Sequence, residues 1–232
     1  MEEGFGPKVI FDLWGIPVTE TVVNTWIIMI ILVVISLILT RGLKKVPKGK
    51  QNVAEALVES INNLTTQTMG EDKKAFSSYM GSLFLLLLFA NLFGLIGLRP
   101  PTADINTTFA FAGLTFVMIH FFGARRKGIG KYLKGFLEPF PLLLPLNIMG
   151  ELATPISLSF RLFGNIVGGI IVVSLLYGGL ASLSAALGLA NFPIFQAGIP
   201  VIFHMYFDLF AGVLQTFIFI MLSMVFISLA MD

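Results

Sequence analysis

The chain has 232 residues, of which 56% are hydrophobic and only 12% charged, against about 25% charged in a typical soluble domain. With a mean hydropathy of +0.90, it carries more apolar surface than a soluble core of this size can bury, so the surplus faces lipid. A net charge of +2, from 15 basic and 13 acidic residues, is too balanced for nucleic-acid binding, and the lack of cysteine removes disulfides, thiolate metal sites and thiol nucleophiles.

In chain order, Met1-Glu2-Glu3-Gly4 lacks the basic start of a secretory signal peptide, and residues 1–21 read as an outer N-terminal segment. A membrane span needs about 20 mostly apolar residues. Five stretches qualify: 22–40, 79–98, 105–123, 141–177 and 192–230. At about 1.5 Å per residue the last two are too long for an upright crossing. Pro145 and Pro155 fall in the fourth, yet neither is followed by a polar loop, so long tilted helices are expected rather than pairs of short ones. Between spans one and two, residues 51–69 place Val53, Ala56, Leu57, Ile61, Leu64 and Thr68 at three- and four-residue steps, with Glu55, Glu59, Asn62, Asn63 and Gln67 on the other face. That pattern predicts an amphipathic helix, flanked by basic residues and expected to lie on the inner interface.

Orientation follows from charge. Arg41, Lys44, Lys45, Lys48 and Lys50 follow span one, Lys73 and Lys74 precede span two, and Arg125, Arg126, Lys127, Lys131 and Lys134 follow span three. One side thus holds 12 of the 15 basic residues and is expected to be the cytoplasm. The N-terminus is then outside and the C-terminus inside, in an inner or plasma membrane. The expected fold is an all-α polytopic membrane protein. It is a single membrane domain over 1–232, with five transmembrane helices plus one amphipathic interfacial helix. The last two spans are long, tilted and antiparallel.

From Leu142 to Ala230 only Glu151, Arg161 and Asp208 are charged. An arginine at mid-membrane costs about 2.5–3.5 kcal/mol on insertion scales and cannot shed its proton, so it must meet a carboxylate, a carbonyl or water. Helical steps from Asn147 visit Glu151, Thr154, Leu158, Arg161, Asn165 and Gly168, collecting one polar stripe on an otherwise apolar helix. The last span repeats the design with His204, Asp208, Ala211 and Gln215, and Arg161 is expected to neighbour Gln215. Blander readings stand beside this one. Arg161 pairs with Asp208 or Glu151 as structural glue; Gly164-xxx-Gly168 packs helices; His204 is a satisfied interior histidine; His120, beside Phe121 and Phe122, anchors the interface. No phosphate loop, HExxH or GxSxG is present, so neither ATP binding nor unaided bond cleavage is expected. The two halves do not resemble each other, against an inverted-repeat transporter.

Arg161-Leu162-Phe163-Gly164-Asn165, on that striped helix, closely resembles subunit a of F-type ATP synthases. Pro100-Pro101-Thr102-Ala103-Asp104-Ile105-Asn106-Thr107-Thr108 is similar to the family's outer loop, and Leu214-Gln215-Thr216-Phe217-Ile218-Phe219 to its last-helix signature. The resemblance implies a stator subunit that is not catalytic alone. Its partners would be a rotating c-ring, a peripheral-stalk b subunit and the lipid bilayer, with no nucleotide or nucleic acid bound by this chain. It implies no cofactor, the translocated species being H⁺ or Na⁺. In the family two half-channels load and unload the ring's carboxylates, and the fixed arginine separates them. By that likeness Arg161 couples ion movement to the ring, while Asn147, Glu151 and Thr154 line the inner half-channel. His204 and Asp208 line the outer one, and Asn165 and Gln215 position Arg161 or its water. The chain departs from the family where Gly168-Gly169 leads to Ile170 rather than to an acid, which loads the outer titratable role onto Asp208. Two other classes remain open: a self-contained channel or transporter, and a membrane scaffold with paired buried charges.

Overall fold

The computed structural model describes residues 7–13, 15–188 and 194–232. Its five helices long and apolar enough to cross a membrane run over Glu20–Thr40, Glu71–Ile96, Ile105–Lys127, Pro141–Ala186 and Gly198–Met231. The all-α polytopic reading therefore holds, with one local exception. Inside the N-terminal segment Val9–Leu13 (β1) and Ile16–Thr19 (β2) pair antiparallel, with Asp12 opposite Pro17. In an isolated two-stranded ribbon a proline can sit without breaking a central ladder.

Helix α1 (Glu20–Thr40) buries only Thr21, Asn24 and Ile28 and turns its other faces outward. Helix α2 (Lys50–Met69) follows. Only the second half of its expected apolar stripe packs inward: Ile61 and Leu64 are half-buried and Thr65 and Met69 buried, whereas Val53 and Leu57 are exposed. Gly81 admits this half, since a Cβ there would stand 3.1 Å from the Ile61 side chain.

A 3₁₀ turn, Glu71–Phe76, leads into α3 (Ser77–Leu92), and another, Phe93–Ile96, leads out of it. Gly97, at φ +75°, ends that span, a conformation that glycine adopts without a Cβ clash. The loop that follows is not a surface loop. Pro100, Pro101, Thr102, Ala103 and Asp104 are all buried, and Asp104 caps α4 (Ile105–Lys127) by accepting from the Asn106 amide at 3.0 Å. Asp104 also accepts from Thr21 at 2.8 Å, and Asn24 donates to the Arg99 carbonyl at 2.9 Å, so the loop plugs the bundle end beside α1.

Short α5 (Ile129–Gly135) precedes α6 (Leu144–Ala186), 43 residues in length. The expected end at 177 is passed because Leu180 and Ser184 are buried where α6 packs against α7 (Ile194–His204). That packing overrides the weak helix propensity of Gly178-Gly179. Next comes a π-helical segment, Met205–Ala211, that passes directly into α8 (Gly212–Met231). Expected residues 192 and 193 lie outside the described residues. The last helix runs antiparallel to α6, since Tyr177 meets His204 near one end, while Asn147 and Leu229 line one cavity at the other. The apolar core, with Leu83, Leu87, Leu158, Leu162, Phe219 and Met224, forms where α3, α4, α6 and α8 meet. Thr108–Ser159 at 3.0 Å and Thr115–Ser223 at 3.3 Å cross between helices as the small polar contacts that hold helices together in lipid.

Candidate functional site

Two cavities flank α6. The larger, about 810 Å³, lies between the end of α4, α5, the first turns of α6 and the end of α8. Asn147, Glu151 and Thr154 all line it, so three residues expected on one face are brought to one space. Asn147 has a second duty: its Nδ2 donates to the Phe136 carbonyl at 2.8 Å and the Glu138 carbonyl at 3.1 Å, pinning the α5–α6 connection. Thr154 donates back to the Gly150 carbonyl at 3.4 Å. Tyr132 forms part of the wall, and burial, with the Glu151 carboxylate as the smaller cause, pushes its phenol above the usual range. Its ring covers Gly123, where a Cβ would lie 2.7 Å from Cε2. Its hydroxyl meets His120 Nδ1 at 2.7 Å. His120 is therefore a half-buried, bonded residue among Phe116, Tyr132 and Phe136.

The second cavity, about 600 Å³, lies between the end of α3, the buried Pro100 loop, the later half of α6 and the start of the last helix. His204 and Asp208 both line it. His204 Nδ1 and an Asp208 carboxylate oxygen are 2.6 Å apart, and the Tyr177 hydroxyl lies 3.4 Å from His204 Nε2. Asp208 is 19% exposed and sits beside Gly94, whose missing side chain leaves 3.6 Å between a Cβ position and the carboxyl carbon. The i, i+4 pairing is made across the π-helical stretch. Such segments are rare and frequently mark functional sites.

Arg161 is exposed on the outer face of α6. Among the described residues its side chain joins none of the ion pairs, which are Lys73–Asp232, Arg126–Asp72 and His204–Asp208. The glue reading is thus not what the structure shows, because Asp208 is paired with His204 and Glu151 faces the first cavity. Gln215, the residue expected beside Arg161, is buried, and among the described residues the side-chain nitrogens of Gln215 and Asn165 have no hydrogen-bond partner. Nor do Gly164 and Gly168 pack a helix, since a Cβ at either meets nothing within 4 Å; the close approach is at Gly169, 3.1 Å from Phe207 Cβ. The face holding Arg161, Gly164 and Gly168 is left open.

Several residues escaped sequence reasoning. Tyr132, Tyr177 and Lys131 line the cavities beside the expected polar groups. Asn91, 1% exposed, donates to the Gly212 carbonyl at 3.1 Å and Thr216 at 2.8 Å and accepts from Thr102 at 2.7 Å. A lone amide in the apolar run Leu83–Phe93 was the available signal, because such groups in lipid are expensive and partnered.

A family model for the ATP synthase A chain matches residues 22–228. The chain is 36% identical to the sodium-ion-specific ATP synthase subunit a of Propionigenium modestum, over 96% of this chain and 78% of that one. It is 37% identical to ATP synthase subunit a of Moorella thermoacetica, over 96% and 95%. With its counterpart in Geobacter sp. strain M21 it shares 40% identity, over 90% and 86%. A match over nearly the whole length, on a bundle with membrane-crossing helices, leaves one conclusion: the chain belongs to the ATP synthase A chain family, a membrane subunit of that enzyme's ion-translocating part.

Proposed function

We propose that this chain is the stator that hands ions to and from a rotating c-ring, through two half-channels separated by Arg161. One observation carries the reading. Helix α6 lends residues 146–154 to the first cavity and 166–177 to the second; the two share no lining residue, and nothing from 155 to 165 lines either. Thr154 and Ile166 are about 18 Å apart along a helix rising about 1.5 Å per residue. Arg161 sits in that gap, on a face kept open by two glycines.

The chemistry follows from the groups present. An ion entering at the His204–Asp208 pair reaches a carboxylate on the ring. After the ring turns, it leaves past Thr154, Glu151 and Asn147. Arg161 attracts the ionised ring carboxylate and favours release of its ion. It also repels any cation moving straight between the cavities, against a driving force of about 2.3 kcal/mol per charge per 100 mV. Lysine would serve less well, since burial can neutralise it and it lacks the guanidinium fork. The basic residues following α1, preceding α3 and following α4 support an inward-facing first cavity.

This chain has no native cysteine, so single thiols introduced into it give a direct test against the wild-type complex as control. Thr154→Cys and Ser174→Cys, each in the assembled complex in oriented vesicles, are treated with a membrane-impermeant thiol reagent from either side. The proposal expects Thr154→Cys to react from the cytoplasmic side and Ser174→Cys from the outside. Reaction of both from the same side would contradict it, and reaction of each from both sides would favour a continuous channel.

A further inference from the structure

The connection between α1 and α2 closes a third cavity, about 160 Å³ in volume. Arg41, Lys44, Lys48 and Lys50 line it, and no acidic side chain does. From residue 41 to 54 the sequence holds no Asp or Glu. Among the described residues, none of the four cations joins an ion pair. Lys50 uses one donor on the Ile38 carbonyl, at 2.7 Å.

The loop that carries the cations is tied back at Lys44. Gln51, 8% exposed, accepts from the Lys44 amide at 2.9 Å and donates to the Lys44 carbonyl at 2.8 Å and to Glu55 at 2.7 Å. The loop is thereby folded back onto the start of α2. Like charges gathered around one small space repel, so an anion among them is favoured. The surroundings narrow the choice of anion. Directly preceding the loop, α1 turns Val33, Val34, Leu37 and Ile38 outward, all exposed, on a helix long enough to span a membrane. A headgroup bound by the cations places its acyl chains along that apolar face.

We propose that this cavity binds the phosphate of an anionic phospholipid, whose chains lie against the outward face of α1. The inference does not depend on the half-channel reading. A phosphodiester headgroup and free phosphate share the same oxyanion chemistry; the adjacent apolar face selects the lipid.

The test uses the assembled complex, purified in detergent and exchanged into mixed phosphatidylcholine and phosphatidylglycerol, with retained lipid counted by native mass spectrometry. Wild type is expected to retain phosphatidylglycerol over phosphatidylcholine. Lys44→Gln/Lys48→Gln is expected to abolish that preference. Lys45→Gln/Lys134→Gln removes the same charge from residues outside the cavity and is expected to retain the lipid as wild type does. Equal loss in both double variants would overturn the proposal in favour of a diffuse basic surface. Displacement by inorganic phosphate would assign the cavity to the free anion. Loss of another subunit with lipid retained would assign it to a protein partner. Should the cavity variant fail to assemble, Lys44→Gln and Lys48→Gln are compared singly with Lys45→Gln, and equal retention by all three overturns the proposal.

Discussion

Asn91 shows how much one amide can carry. Its three hydrogen bonds join α3, the buried Pro100 loop and the first turn of α8, next to the π-helical segment that holds Asp208. Asn91→Leu keeps the volume but strands the Thr102 hydroxyl, whereas the Gly212 carbonyl still accepts from Thr216. We expect a loss of about 1–3 kcal/mol, the usual effect of leaving buried polar groups unpaired, read as a lower melting temperature of the complex. Gly169 and Gly164 make a contrasting pair. Gly169→Val drives a side chain into Phe207 and should destabilise by about 1–3 kcal/mol, as overpacking does. Gly164→Val meets nothing within the chain, so it should leave the melting temperature unchanged yet lower ATP-driven ion uptake if the ring approaches this face. Unchanged uptake would place the ring elsewhere. At this scale Arg161 was legible in the sequence because a fixed charge among apolar residues is expensive without a purpose. The glycine that packs was not, since Gly164, Gly168 and Gly169 look alike until the neighbouring helix is in place.

The elements divide in the same way. Helices α1 and α4 were readable to within a few residues, because apolar length is a direct constraint of the bilayer, whereas α3 ends at Leu92 and passes into a 3₁₀ turn short of the expected 98. The nine residues added to α6 were not. Gly178, Gly179, Ser182 and Ser184 read as loop composition, and only the packing of Leu180 and Ser184 beside α7 keeps them helical. The hairpin at 9–19 was hidden for a different reason, since strand pairing depends on a partner that hydropathy does not see. In α2 the periodicity called for a helix, but the first half of its apolar stripe leaves Val53 and Leu57 exposed. One clamp between elements depends on pH. Lys73, 7% exposed, donates to Ser228 at 2.9 Å and to Asp232 at 2.5 Å, tying the turn before α3 to the end of α8. The hydrogen bond from Lys73 holds the Asp232 carboxyl below its usual 3.8. A depressed carboxylate adds stability above its unfolded value and loses it as pH falls through its folded value. The clamp should therefore be unaffected between neutral pH and the ordinary carboxylate range and be lost only in stronger acid. Asp232→Asn should remove that acid dependence from the melting curve, and an unchanged curve would show that the clamp contributes nothing.

For the whole molecule, helical spacing grouped Asn147, Glu151 and Thr154 apart from His204 and Asp208, and the structure puts each group in a separate cavity. The walls around them were not legible, because Tyr132, Tyr177 and the Pro100 loop arrive from elements whose placement only the fold decides. Neither was the π-helical stretch Met205–Ala211, since a 3.6-residue period does not anticipate i→i+5 bonding. The family match shows the membrane subunit, and the proposed division of labour rests on the gap between the cavities. The central claim is that Arg161 alone keeps them apart in function. ATP-driven ion uptake by vesicles bearing the assembled complex tests this most directly, comparing wild type with Arg161→Ala, with and without Na⁺, after subunit content confirms assembly. We predict that the assembled variant loses uptake entirely and that the Na⁺ response of wild type names the ion. Near wild-type uptake by the assembled variant would contradict the account and leave Arg161 a structural charge.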